Sequence, residues 1–334
     1  MTEHSLPERL EDYRPSGSTY AGTDKYVLFG IDSDGCVDKG MRAKHGGPFP
    51  RAGIEVFGLQ PIDEPWRIAW SYVNEIERRG CPRFEALAAV VDRVLEMPVV
   101  QEAERNGVVR VPRLPYLKAY VQNVASKEGY GDNVLAKYLE SLPEGEEKKE
   151  LSLVAAWSKT VNKYVASDCP YIPPYRAAVE AIRLAKEKGI DCMIVSGTPE
   201  EHLRETWKQH GLTGSIRGVF GRESGKKDQH LVAAMRHAEK QLGRMYDMAV
   251  MFGDAPGDDR ARKKAAEALG VRIAFMPIRV GHEEEDWAWF AENYLKKGSV
   301  FEYTEEVEAR RIAAFKENLA RKWDPTADIT RLFG

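Results

Sequence analysis

Cysteine is scarce and scattered. Cys36, Cys81, Cys169 and Cys192 are the only four in 334 residues, and no CxxC pair or metal-type spacing links them. A disulfide framework is therefore without support, and free thiols in a reducing compartment are expected. Long apolar runs are missing as well. The most apolar stretch, residues 86–100, is interrupted by Asp92, Arg93 and Glu96, so no segment is expected to span a membrane. Strong charge of one sign is absent. The formal net charge is −3, which weighs against a dedicated nucleic-acid binder with a basic face. The opening residues, Met1 to Leu10, are polar and carry no signal-peptide core, so a cytoplasmic location is expected. There is no internal repeat and no long low-complexity segment.

What is present supports a substantial core: 43% of the residues are hydrophobic and 30% charged, near the globular norm. Residues 1–24, rich in Ser, Thr, Gly, Pro and charge, suggest a flexible leader. Tyr26 to Ile31 is an apolar run too short for a helix, suited to a strand buried on both faces of a parallel sheet. It ends in Asp32-Ser33-Asp34-Gly35. Two carboxylates two residues apart share a face if the strand geometry continues. Burial would make them repel each other and lose hydration, so a compensating cation is needed, and Mg²⁺ with its preference for oxygen ligands suits them. The competing view takes Asp34-Gly35 as a turn and Asp32 as a helix cap or Asx-turn.

After Val37 the segment to Pro50 is basic, Gly-rich and turn-forming, a candidate hinge carrying Lys39, Arg42, Lys44 and His45. From there to about residue 168 the patterns are helical, with Trp66, Trp70, Val73 and Ile76 at helical spacing as core. Beyond Pro170–Pro174 helix and strand alternate, with strands expected at 190–195, 218–220, 248–252 and 271–276. Such alternation implies a parallel sheet with right-handed crossovers. The arrangement expected is a Rossmann-like α/β core, residues 25–37 and 170–280, interrupted after its first strand by a helical insertion, residues 38–169. A helical extension, residues 281–334, is expected to pack on the core. The acidic run Glu283 to Asp286 reads as a solvated helix start.

Ligands of open parallel sheets sit beyond the carboxyl ends of the strands. There the sequence places Asp32 and Asp34, then Ser196-Gly197-Thr198, then Gly253-Asp254 with Asp258, and between these Gly225-Lys226-Lys227 before a helix. Each has an ordinary alternative: Thr198 as the cap of a helix starting at Pro199, the lysines as a solvated loop, the Asp254–Asp259 segment as an acidic capping turn. Their order along one sheet is more specific than any one of them. Together they resemble the four motifs of the haloacid dehalogenase (HAD) superfamily, and the helical insertion resembles its C1-type cap in position and character. Cys36 departs from the pattern, which commonly has Thr there. Either Lys226 or Lys227 fits the third motif, Lys227 slightly better.

The resemblance implies a phosphatase-like enzyme. Asp32 would be the nucleophile, forming an aspartyl-phosphate. Asp34 would be the general acid and base, its main-chain carbonyl also binding the metal. Ser196 and the Gly197 amide would hold the phosphoryl group, and Lys227 or Lys226 would offset charge. Mg²⁺ would be held by Asp32, Asp34, Asp254 and Asp258. Dehalogenases and phosphonatases of the superfamily lack the acid at the position of Asp34, so phosphomonoester hydrolysis on a small phosphorylated substrate is the expected reaction. A phosphomutase of the same architecture and a non-catalytic HAD-like scaffold are the alternatives. No nucleic acid or membrane partner is expected. The substrate and the oligomeric state stay open.

Overall fold

The computed structural model describes residues 6–326. Five strands form one parallel sheet: β1 (Val27–Ile31), β2 (Asp191–Val195), β3 (Gly218–Phe220), β4 (Met248–Gly253) and β5 (Ala274–Pro277), in the spatial order β3-β2-β1-β4-β5. Every residue of these strands is buried, which is why they read as continuous apolar runs. Helices fill both faces of the sheet. Tyr175, Ala178, Ile182, Trp207, Trp287 and Phe290 pack with one set of strand side chains. Tyr13, Leu231, Ala234, Met235 and Phe315 pack with the other. This is the α/β architecture with a parallel sheet that the alternation of helix and strand predicts.

Strand register sets where the loops beyond the strands emerge. Ile31 at the end of β1 lies opposite Ile194 of β2 and Phe252 of β4. The Asp32 amide donates to the Phe252 carbonyl at 3.0 Å, and the Ser196 amide to the Phe220 carbonyl at 3.0 Å. The residues next in the chain after these strands are thus brought to one edge of the sheet.

The chain divides into two compact units. The sheet unit comprises residues up to Gly40 together with Tyr171–Leu319. The second unit, Met41–Pro170 with residues 320–326 of the C-terminal segment, is helical. Its core is aromatic: Trp66, Trp70 and Trp157 are fully buried, with ring centroids 6.0 Å (Trp66–Trp70) and 5.7 Å (Trp70–Trp157) apart. The helix Pro48–Phe57 lies so close to Trp66 that a side chain at Gly53 would meet its ring at 2.6 Å.

Four expectations are corrected. Residues 6–24 are attached to the sheet unit, not loose: Tyr13 is fully buried and Tyr20 nearly so. Their anchor is Asp191, 4% exposed, whose Oδ2 accepts from the Ser16 amide at 2.9 Å and the Tyr246 hydroxyl at 2.8 Å. Tyr246 in turn meets the Tyr13 hydroxyl at 2.8 Å. Two buried aromatics in a polar stretch escape a composition-based reading; residues 1–5 lie outside the described residues. Second, the segment expected to be a hinge is largely helical, Gly40–Gly46 and Pro48–Phe57. Third, the C-terminal extension does not stay with the sheet throughout. Trp323 packs on Tyr72 of the helical unit at 4.9 Å, and the Tyr72 hydroxyl donates to the Arg321 carbonyl; residues 327–334 lie outside the described residues. Fourth, the acidic run is not wholly solvated. Asp286 is fully buried and paired with Arg279 and Arg311.

The Asp191 anchor yields a test. Asp191→Ala strips the acceptor from two donors, which costs about 1–3 kcal/mol when such groups are left buried. The urea midpoint of the full chain is expected to fall accordingly; an unchanged midpoint would show that the N-terminal segment is held by other contacts.

Candidate active site

β1 runs straight into a tight loop. Gly35 takes φ +81°, a conformation that favours glycine, and its amide donates to the Asp38 carbonyl at 3.0 Å. The loop holds Asp32, 6% exposed, at the end of the strand. From the neighbouring strand, β4 delivers Asp254, 2% exposed. The helix Pro256–Leu269 then folds back toward the strand. Asp258 in its first turn is fully buried, and its Oδ2 accepts from the Ala255 amide at 3.0 Å. Gly253 permits that approach: a Cβ there would lie 2.4 Å from Asp258.

Asp32, Asp254 and Asp258 converge, each offering a carboxylate oxygen within 4.8 Å of the others. Lys227, the first residue of the helix Lys227–Leu242, projects its ammonium between two of them, 2.9 Å from Asp32 Oδ2 and 2.6 Å from Asp258 Oδ1. Burial on its own would lower the Lys227 pKa, but the charges of Asp258 and Asp32 outweigh it and hold the ammonium far above its usual range. Burial drives the Asp32 carboxyl upward, and Asp258 and Asp254 add to the effect while Lys227 opposes it. With all three carboxylates ionised, the single ammonium leaves negative charge in excess. The donors are all oxygen, so the set fits a hard divalent cation, whose charge would restore balance.

The structure thus brings Asp32, Asp254, Asp258 and Lys227 together. Lys226 does not join them. It precedes the helix, and its backbone amide donates to the Gln229 side chain at 2.8 Å. Ser196 is 3% exposed at the end of β2, while Gly197 beside it is exposed. Asp34 is half-buried, and its Oδ2 accepts from the Thr198 hydroxyl at 2.8 Å. The helix expected from Pro199 runs Glu200–Gln209, with Pro199 as its N-cap and no side-chain capping bond. Thr198 therefore directs its hydroxyl to Asp34, a contact that the sequence did not signal.

His230, in a helix whose start is polar, is expected from the sequence on the helix surface, but it is fully buried near Phe220, and burial pushes its pKa down to about 4. Arg279 pairs with Asp286. Within the helical unit Arg42 approaches Glu75 at 3.9 Å, and His45 accepts from the Trp70 indole and stacks on Phe49. Cys36 is fully buried, its carbonyl accepting from the Trp287 indole at 2.8 Å. A concavity of about 770 Å³ also exists in the helical unit. Its lining charges satisfy one another, Arg93 with Glu77 and Glu96, Lys118 with Asp92, so it is not the candidate site. Among the described residues no helix is long and apolar enough to cross a membrane.

Residues 72–266, more than half of the sequence, match the haloacid dehalogenase-like hydrolase family. The chain belongs to that family. No curated protein matches the sequence. Similar solved structures include a predicted phosphoglycolate phosphatase from Haemophilus somnus 129PT, 14% identical, with 81% of this chain and 99% of that one covered and a TM-score of 0.47. An archaeal β-phosphoglucomutase from Pyrococcus sp. strain ST 04 is 15% identical, with 86% and 99% covered and a TM-score of 0.45. A HAD-superfamily hydrolase of subfamily IA from Geobacter sulfurreducens PCA is 13% identical, with 77% and 88% covered and a TM-score of 0.37. Likeness at this level says nothing of substrate. The family match begins beyond β1, so the placing of Asp32 and Asp34 in this HAD-like hydrolase rests on their geometry.

Proposed function

We propose that the protein is a Mg²⁺-dependent phosphohydrolase that cleaves a small phosphomonoester through an aspartyl-phosphate on Asp32. The observation that carries this reading is the buried trio Asp32, Asp254 and Asp258 with Lys227 laid across two of its members. Such a cluster is costly to bury for stability alone, and perturbed carboxylates at strand ends mark functional sites.

In the proposed first step an Asp32 oxygen attacks phosphorus. The bond from phosphorus to the ester oxygen breaks, and Asp34 delivers its proton to the departing alkoxide. In the second step Asp34 takes a proton from water, the water oxygen bonds to phosphorus, and the Asp32–phosphorus linkage breaks. Inorganic phosphate leaves and both carboxylates return to their starting forms. Ser196 and the Gly197 amide are assigned to a phosphoryl oxygen, and the Lys227 ammonium to the charge that builds on the group in transfer. Asp32, Asp254 and Asp258, with the main-chain carbonyl of Asp34, would hold Mg²⁺. That ion, when bound, supplies the charge that lets an anionic nucleophile approach an anionic phosphate. The role of the helical unit as a cap belongs to the same proposal and rests on its insertion between Gly40 and Tyr171.

The test is a panel of phosphate esters assayed with Mg²⁺ and with EDTA. Phosphate release that needs the metal supports the reading. Conversion of a sugar phosphate into its isomer, without net phosphate release, would replace it by a mutase. No turnover of any ester would favour a binding scaffold.

A further inference from the structure

The Thr198 hydroxyl makes a polar contact at the sheet's edge that neither the metal set nor phosphate binding accounts for. We propose that Thr198 is a positioning residue for Asp34, holding one carboxylate oxygen so that the group stays aligned for proton transfer. This rests on the reading of Asp34 as the acid.

Three separate stretches define the arrangement. From the loop after β2, Thr198 Oγ1 donates to Asp34 Oδ2 at 2.8 Å. Thr198 is itself pinned: its amide donates to Ser196 Oγ at 3.2 Å and its carbonyl accepts from the Arg222 amide at 3.3 Å. Being β-branched, it has few side-chain rotamers to choose from. On the opposite side Gly40 closes the space. A Cβ there would lie 2.3 Å from Asp34 Oδ1 and 2.7 Å from Asp38 Oδ1, and the Gly40 amide donates to Asp38 Oδ1 at 2.8 Å. A half-buried aspartate without such neighbours samples several staggered rotamers. Here a hydroxyl on one oxygen and the close approach of Gly40 to the other restrict it. The hydrogen bond is charge-assisted when Asp34 is ionised, the form in which it must accept a proton from water.

The consequence is selective. A leaving alkoxide needs a proton, whereas a nitrophenolate does not. Thr198→Val keeps the shape and removes the donor. Its kcat is expected to fall about tenfold or more on the alkyl phosphate that the wild-type protein turns over fastest, a fraction of what a general acid contributes. On 4-nitrophenyl phosphate the loss is expected to stay under about threefold, with KM little changed on either ester. Thr198→Ser, which restores the donor, is expected to recover most of the alkyl rate.

Equal losses on both esters would show a merely structural role and overturn the proposal. A rise in KM with kcat unchanged would do the same, by making Thr198 a phosphate-binding group. Asp32→Asn run alongside separates the two levels of inference. If it retains turnover, the phosphatase mechanism fails and this proposal with it. If it is inactive while Thr198→Val matches the wild type on both esters, only the role of Thr198 is wrong. A protein that cleaves aryl but no alkyl phosphates has no working acid, which overturns the assignment of Asp34 and this proposal together.

Discussion

Asp32→Asn is expected to abolish ester turnover, with a loss on the order of 10⁴-fold or more, the scale reached when a nucleophile acting as one unit with its partners is removed. The amide matches the carboxylate in shape, so the fold should persist. It cannot displace an alkoxide from phosphorus, because it is neutral and its nitrogen lone pair is delocalised. The substitution removes a carboxylate whose pKa burial raises, with Asp258 and Asp254 adding to the rise and Lys227 opposing it, and Asp258 still holds the Lys227 ammonium at 2.6 Å. Thermal stability in EDTA is therefore expected to stay near the wild-type value, which separates lost chemistry from lost structure. Near-normal Mg²⁺-dependent rates in the variant would remove Asp32 from the mechanism.

Lys227→Met has the opposite profile, with stability lost first and activity with it. Lys227 is the ammonium found on both Asp32 and Asp258. Removing one partner from a buried ionic cluster costs about 3–5 kcal/mol, because the remaining charges are left uncompensated. The apparent melting temperature in EDTA is expected to drop clearly below that of the wild type. A divalent cation binding the same carboxylates in the folded state restores stability by mass action, so Mg²⁺ is expected to raise the melting temperature of Lys227→Met more than that of the wild type. Lys226→Met, one residue away and outside the cluster, is expected to change neither stability nor turnover. Melting curves of the three proteins with Mg²⁺ and with EDTA decide the matter. Equal behaviour of the two lysine variants would mean that Lys227 carries no special charge burden.

Neighbouring lysines show where sequence reading runs out. Lys226 and Lys227 are alike in type and fit the motif at two spacings. What separates them is helix phase: Lys226 stands before the first turn and Lys227 opens it, so their side chains leave the backbone in different directions. The same holds for Thr198. A Thr before Pro at a helix start signals a cap, yet the helix begins one residue later than that signal implies and the hydroxyl reaches a carboxylate 164 positions away. His230 was hidden for a similar reason. His230 stands between the polar start of its helix and the apolar run Leu231 to Ala234, where a single histidine gives no sign of which helical face is covered, and here the covered face is its own.

The residue string alone determined the sheet and the chemistry on offer. Runs buried on both faces must be apolar throughout, so β1, β2 and β4 were legible, and acidic residues directly after such runs are too costly to be incidental. Tertiary structure decided which of those groups meet. Register between parallel strands brings residues 32, 196 and 254 to one edge, and the backward fold at Gly253 adds Asp258. It also tied the polar N-terminal stretch to Asp191 and took Trp323 to the helical unit. Those outcomes depend on contacts between stretches far apart in the chain, whose free energy belongs to pairs of residues and is not carried by either one locally.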